Sequence, residues 1–213
     1  QIKAGTFEME GGTISANAGF GVLVGNSAAF RMNGGEIVQN KNSGVYLEAG
    51  KMEVSGGRIA ENTSGGHGGG IYLNGGSLFM TGGIVEKNTA NQNGGGLYTH
   101  GGKVELTGGV IRENTAKAEN GGGGYYIPYA ANPILIGENI QIYGNTTLIG
   151  TANDIRIGGG QTVSVLAVSE MGVEGYDCWY DGNSGSYLTE AVETDKNTGK
   201  ASYLTATKLA EAD

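Results

Sequence analysis

Five Gly-Gly pairs, each followed at a fixed distance by an asparagine, constrain this chain more than any other feature. The pairs stand at 11–12, 34–35, 56–57, 82–83 and 108–109, separated by 23, 22, 26 and 26 residues. Six residues after each pair begins comes Asn17, Asn40, Asn62, Asn88 or Asn114. Asn145 closes a sixth, degenerate copy in which Asn139-Ile140 replaces Gly-Gly. Self-similarity at a period of ~20–50 residues marks a stacked repeat architecture.

The variation in repeat length says where a coil can grow. Met9, Met32, Val54, Met80 and Leu106 each precede an aliphatic residue by five positions: Ile14, Ile37, Ile59, Val85 and Ile111. From there to the next apolar anchor (Val22, Val45, Ile71, Leu97, Tyr125) the spacing is 8, 8, 12, 12 and 14. From those anchors to the following coil it is 10, 9, 9 and 9. One corner is fixed, one is nearly fixed, and one takes up the large insertions, at 63–68, 89–94 and 115–122. A solenoid behaves this way when every coil must return to the same starting point.

Side-chain alternation assigns the segments between corners to strands. Phe7-Glu8-Met9-Glu10, Met52-Glu53-Val54-Ser55 and Val104-Glu105-Leu106-Thr107 alternate apolar with polar residues. In Val45-Tyr46-Leu47 and Ile71-Tyr72-Leu73 the aliphatics point inward and leave the tyrosine outward. No helical period is visible in the first 160 residues, and the leucine ladder of leucine-rich repeats is absent. The 43 glycines are too aperiodic for collagen, which the two prolines also exclude, and 38% hydrophobic residues in register exclude disorder. The expected fold is therefore all-β: a single right-handed parallel β-helix of about six three-strand coils, ~30 Å long at ~4.8 Å per coil. The glycines serve corners that need positive φ or close backbone approach. The asparagines are expected to form a ladder in a turn, each amide bonding backbone and the next coil's asparagine.

The pattern changes after Asn145. Residues 150–168 read as two strands around a glycine turn, and Tyr187–Val192 and Ala201–Thr207 as further strands, with a short helix or frayed end at 208–213. The expected domain division is 1–160 for the β-helix repeats and 161–213 for a C-terminal capping β-structure or the start of a following module, since an uncovered last coil would be an open sheet edge. Gln1 opens directly into repeat sequence, so the expectation is a monomeric module of a longer chain.

A net charge of −8 with no basic cluster argues against nucleic acid and anionic membrane as partners. No apolar stretch is long enough for membrane insertion as a helix. The single cysteine, Cys178, excludes an internal disulfide framework. Calcium-dependent lyases built on β-helices need carboxylates clustered on one face to hold the cation plus an arginine or lysine base, and glycosidases of this fold use several aspartates close together. No aspartate occurs before Asp154, and the glutamates are spread over several faces. Glu8, Glu53 and Glu105 share one ladder position with Arg31 and Phe79 between them, which reads as a solvated face with charge compensation. Neither His67 nor His100 has companions for a metal site, and both are read as exposed loop residues. Asp177, Asp181 and Asn183, and separately Asp195 and Asn197, offer scraps of calcium-loop spacing that hairpin turns explain equally well. No catalytic residue, cofactor or metal site is expected. Ice binding, for which Thr81 and Thr107 would be the array, is set aside because the array is too short.

One candidate binding site remains. Tyr46, Tyr72, Tyr98 and Tyr126 occupy one outward ladder position, with Glu48, Asn74 and His100 two residues later. Stacked aromatics beside polar groups suit sugar rings. The competing reading is that tyrosine is a good strand residue that pairs with itself. The candidate ligand-binding residues are Tyr46, Tyr72, Tyr98, Tyr126, Asn74 and His100, with any groove at the edge overhung by the insertions.

The units GGGIY (68–72), GGGLY (94–98) and the IxxN pieces with a trailing threonine (59–63, 85–89, 111–115) resemble the repeats of bacterial adhesin-like surface proteins. Repeats of chlamydial polymorphic outer membrane proteins are similar. The stretch 144–165 resembles the way such repeats end in large cell-surface proteins of gut bacteria. This resemblance covers residues 7–168 and implies an extracellular location on a bacterial surface. It implies a non-enzymatic stalk or binding domain, with a glycan or a host protein as partner. A polysaccharide-active lyase or hydrolase, or an accessory domain of one, is the first alternative, and a purely structural spacer is the second.

Overall fold

The computed structural model describes residues 1–118, 121–128, 134–148 and 154–157, together with the strands Thr162–Val165, Cys178–Tyr180, Tyr187–Leu188, Val192–Thr194 and Ala201–Tyr203. Among these residues there is no helix. Short strands wind into a parallel β-solenoid with three faces. The first face begins with Ile2–Met9 and continues through the second half of Val22–Met32, Lys51–Val54 and the starts of Ser77–Glu86, Lys103–Arg112 and Ile134–Tyr143. The second face stacks Thr13–Ser15, Glu36–Val38, Arg58–Ala60 and the ends of the same three long strands, six strands in all. The third stacks 22–24, Val45–Leu47, Ile71–Leu73, Leu97–Thr99, Tyr125–Ile127 and Ile155–Ile157.

The core is made of columns in which each coil contributes the same position. Met9, Met32, Val54, Met80 and Leu106 are buried on the first face, and Ile37, Ile59, Val85 and Ile111 on the second. Val22, Val45, Ile71, Leu97 and Tyr125 are buried on the third. The first two columns are the anchors that the five-residue spacing picks out, except that Ile14 in the first coil is only partly buried, and the third is the set reached after 8–14 residues. Each fully buried aliphatic contributes about 1.5–3 kcal/mol relative to exposure, so the array is held by repetition of one small hydrophobic layer. Tyr125 is the aromatic exception. Its phenol lies 2.9 Å from the Thr99 hydroxyl, and both residues are buried. Threonine and tyrosine on neighbouring coils thus satisfy each other where two aliphatics would otherwise stand.

The first corner carries the fixed motif. The second glycine of each pair has positive φ, +81° at Gly12, +79° at Gly35, +82° at Gly57, +80° at Gly83 and +106° at Gly109. The residue before each ladder asparagine is also left-handed: Ala16, Gln39, Glu61, Lys87 and Glu113 have φ of 53–58°, and Gly144 has 64°. Five of these six carry a Cβ, at roughly 1–2 kcal/mol each. That strain repeats because the turn aims the next residue inward.

The asparagines form a continuous hydrogen-bonded ladder. Asn62 shows the unit: its Nδ2 donates to the Ile37 carbonyl at 2.9 Å and to Asn88 Oδ1 at 2.9 Å. Its Oδ1 accepts from the backbone N–H of Asn40 at 3.0 Å and from Asn40 Nδ2 at 2.8 Å. Asn88 and Asn114 repeat the pattern, and Asn40, Asn62, Asn88, Asn114 and Asn145 are all buried. Asp154 ends it, with Oδ1 accepting from Asn145 N–H at 2.9 Å and Asn145 Nδ2 at 2.7 Å. A second column of glycines packs on this ladder. A Cβ on Gly70 would stand 2.9 Å from Asn88 Nδ2, 2.6 Å from the Gly96 carbonyl and 2.7 Å from a Val85 methyl.

Beyond residue 160 the parallel ladders run on: Thr162–Val165 pairs with 134–136, Cys178–Tyr180 with Ile155–Ile157, and Tyr187–Leu188 with 162–163. Val192–Thr194 and Ala201–Tyr203 form an antiparallel pair. The remainder of the expected cap at 161–213, the possible helix at 208–213 and the calcium-loop scraps at Asp177, Asp181, Asn183, Asp195 and Asn197 lie outside the described residues.

Candidate functional site

The outward column of the third face reads Leu23, Tyr46, Tyr72, Tyr98, Tyr126 and Arg156 in strict register. The rings follow the strand spacing. Centroids are 5.0 Å apart for Tyr46 and Tyr72, 5.0 Å for Tyr72 and Tyr98, and 5.8 Å for Tyr98 and Tyr126, with interplanar angles of 14°, 24° and 2°. Phe20 extends the stack, 4.7 Å from Tyr46. Parallel strand pairing holds the backbones about 4.8 Å apart, which sets near-contact ring stacking without further design. Because the rings stack on one another, their faces are largely occupied. The ladder offers a partner ring edges and phenol groups rather than a row of open platforms.

The insertions build the wall beside this column. Thr63–Ser64, Thr89–Ala90, Thr115–Ala116 and Thr146–Thr147 pair in parallel as a separate short sheet. After it the chain turns back over the tyrosines through Gly68, Gly94 and Gly122, with φ of +60°, +68° and +58°. A Cβ at Gly68 or Gly94 would lie 2.8 Å from the Cβ of Tyr72 or Tyr98. Only glycine lets the loop backbone pack so closely against the tyrosine stems. The overhang expected from the insertion lengths is therefore present as a glycine-lined rim.

His67 departs from its reading as an exposed loop residue. It is half-buried, with its ring stacked on Tyr98 at a centroid distance of 4.2 Å and 20°. The backbone N–H of Asn93 donates to its Nδ1 at 3.3 Å, and its own carbonyl accepts from Ser64 Oγ at 2.7 Å. Burial, and secondarily the nearby His100, hold its pKa below the ordinary value. The insertion that carries His67 is stacked on the next one, which presses the ring onto the ladder. Tyr98 is consequently buried, at 5% exposure, and presents no open ring. Tyr46, Tyr72 and Tyr126 remain half-buried. Burial, then Glu48, raises the Tyr46 phenol above its usual range, and burial, then Tyr46, does the same for Tyr72. Both phenols are therefore neutral donors at physiological pH.

The polar companions stand at the next corner. The backbone N–H groups of Glu48, Asn74 and His100 donate to Val24, Leu47 and Leu73 at 2.9, 2.9 and 2.7 Å, so the three residues form one column beside the tyrosines. Glu48 and His100 are exposed, and Asn74 partly so. Four of the six candidate residues are thus available at this surface, Tyr46, Tyr72, Tyr126 and Asn74, with His100 at its rim and Tyr98 beneath His67.

Several glutamates are engaged in ion pairs away from this column. Arg31 bridges Glu8 at 2.7 Å and Glu53 at 2.6 Å, in the column read as charge-compensated. Phe79, in the same column, has the ammonium groups of Lys51 and Lys103 at 5.0 and 5.4 Å from its ring centroid. On the second face, Glu86 is buried and held by Arg58 at 2.6 Å and Arg112 at 2.8 Å. Burial alone would raise its pKa, but the two guanidiniums outweigh it and hold the carboxyl below its usual range. The ionic network around Glu86 had no signal in the repeat pattern, because Val38 and Ala60 occupy its ladder position in earlier coils. Among the described residues no three His, Cys, Asp or Glu side chains gather as a cation site, and no helix is long and apolar enough to cross a membrane.

A protein-family model described as a right handed beta helix region matches residues 2–108, half of the chain. No curated protein and no solved structure matches it.

Proposed function

The chain belongs to the right-handed β-helix family, and from that premise we propose that it is a non-enzymatic module of a bacterial cell surface that binds a glycan or a protein along its tyrosine face. The observation that carries the reading is the continuous stack from Phe20 to Tyr126, edged by a glycine-lined rim and by the polar column Glu48, Asn74 and His100. Stacking orients the phenol edges of Tyr46 and Tyr72 alike, one coil apart at ~4.8 Å along the solenoid axis, and Tyr126 continues the column beyond Tyr98, which His67 covers. Tyrosine supplies large contact area with few rotatable bonds, which suits it to recognition at low entropic cost. The adhesin-like character and the extracellular location rest on the resemblance of the GGGIY and IxxN units.

The ion pairs at Glu53 and Glu86 support the non-enzymatic reading, since a carboxylate held by basic groups is a poor proton donor at neutral pH. Mutual stacking of the rings also favours a second reading, in which the tyrosines only hold coils together and the chain is a spacer. A panel of glycans and surface proteins, screened with the wild type and a Tyr46→Ala/Tyr72→Ala variant, separates the readings. Binding by the wild type alone is the expected result. Equal binding by both proteins would move the site elsewhere, and binding by neither would leave the spacer. Release of new reducing or unsaturated ends from a polysaccharide would replace both with the enzyme reading.

A further inference from the structure

Three Asn-Gly dipeptides lie among the described residues, Asn33-Gly34, Asn74-Gly75 and Asn93-Gly94, and the fold treats them differently. At the first, Asn33 Nδ2 donates to Glu10 at 2.8 Å and Oδ1 accepts from Ser55 at 2.8 Å, while the Gly34 N–H donates to the Met9 carbonyl at 3.0 Å. At the third, the Gly94 N–H is bound to the Gly121 carbonyl at 2.6 Å, and Asn93 is pinned through its N–H to His67 and through its carbonyl to the Gly68 N–H at 3.0 Å. At Asn74 the backbone N–H is bound to Leu47, but neither the side-chain amide nor the Gly75 N–H has a partner among the described residues.

We propose that Asn74 is a site of spontaneous deamidation through the Gly75 nitrogen, and that the native fold spares the other two. The Gly75 amide nitrogen loses its proton and forms a bond to Asn74 Cγ. The Cγ–Nδ2 bond breaks, ammonia leaves, and a five-membered succinimide results. Water then opens the ring at either carbonyl, giving aspartate or isoaspartate, so the net change is asparagine plus water to aspartate plus ammonia. A nitrogen already donating a hydrogen bond in a ladder must break it before it attacks, and an amide held at both ends must first rotate free. Asn74 meets neither obstacle. Gly75 offers no side chain to shield its nitrogen, and Gly76 beside it is in the left-handed region at +84°. The product carboxylate stands between Glu48 and His100, beside Tyr72. On the proposed binding role, ageing would recharge the binding surface itself, and isoaspartate would lengthen the main chain at the corner leading to the first face.

Peptide mapping by mass spectrometry tests this on the intact chain, incubated folded at mildly alkaline pH and, in parallel, in denaturant. The folded protein is expected to convert Asn74 at least several-fold faster than Asn33 or Asn93, and the unfolded chain is expected to convert all three at similar rates. Asn74→Gln removes the folded-state product, and Gly75→Ala slows it. The proposal is overturned if Asn33 or Asn93 reacts as fast as Asn74 in the folded protein, or if the same ranking persists in denaturant. The readout does not involve binding, so it stands or falls apart from the proposed function.

Discussion

Replacing Asn88 by alanine removes the central rung of the ladder. Asn88 makes four side-chain bonds: Nδ2 to the Ile59 carbonyl at 2.9 Å and to Asn114 Oδ1 at 3.0 Å, and Oδ1 from the N–H and Nδ2 of Asn62 at 3.0 and 2.9 Å. After truncation, Asn114 Oδ1 still accepts from the Asn88 N–H, and Asn62 Nδ2 still reaches Ile37. The Asn62 N–H loses its acceptor among residues without solvent access, at about 1–3 kcal/mol, and the bond to the Ile59 carbonyl, which lies in a paired strand, is lost at about 0.5–1.5 kcal/mol more, so the expected loss is about 1.5–4.5 kcal/mol. Asn17→Ala is the control. Asn17 is exposed and makes one side-chain bond, to Asn40 Oδ1, so its loss should cost only about 0.5–1.5 kcal/mol. Urea unfolding of the two variants beside the wild type measures the difference. Because neighbouring coils stabilise each other, the Asn88 variant is also expected to separate into two transitions where the wild type shows one. Equal midpoints for the two variants would refute the reasoning. Asn88→Asp should be as damaging as alanine, because a carboxylate cannot donate to Ile59, whereas Asp154→Asn should be mild because the last rung is needed only as an acceptor.

Gly70→Ala places a methyl against the Gly96 carbonyl and Asn88 amide and should lower stability by about 1–3 kcal/mol or more, whereas at Gly101 the nearest atom to an added Cβ is 3.4 Å away and thermal melts should barely change. Glu86 has a folded-state pKa below its unfolded one, so its contribution is present above the ordinary carboxylate value, ~4.3, and is lost as pH falls through the lower folded value. The acid limb of the stability curve should therefore flatten in Glu86→Gln, as read by urea unfolding at stepped pH. For His67 the folded pKa is likewise depressed, and since the neutral ring accepts from Asn93, the clasp on Tyr98 is intact above ~6.5 and weakens below it. The protection of the Asn93 amide against hydrogen exchange, taken relative to its intrinsic rate at each pH, should fall on acidification in the wild type and lose that dependence in His67→Ala.

The architecture was legible because a solenoid writes its constraints once per coil. The Gly-Gly corner, the asparagine rungs and the buried columns from Met9 to Leu106 recur at fixed offsets, so length variation alone separated rigid corners from the permissive one. What escaped notice depends on relations between coils rather than on recurrence. The third glycine of GGGIY is fixed by the asparagine amide and the glycine carbonyl of the next coil, a contact with no local sequence signature. Asp154 closes the ladder although it differs from every other rung, because the last rung needs no donor. His67 occurs in one insertion only, so nothing in the repeat foretold that it would cover Tyr98 and reduce the candidate face. Glu86 meets two arginines from other coils at a ladder position that Val38 and Ala60 fill in the two coils before it.

The tyrosine face can be watched directly by NMR of a chain carrying 13C-labelled tyrosine rings, titrated with whichever glycan or protein the panel returns. The resonances of Tyr46, Tyr72 and Tyr126 are expected to move together on binding, while that of Tyr125, sealed in the core against Thr99, stays in place. Binding that leaves all three outward rings unmoved would contradict the proposed binding face.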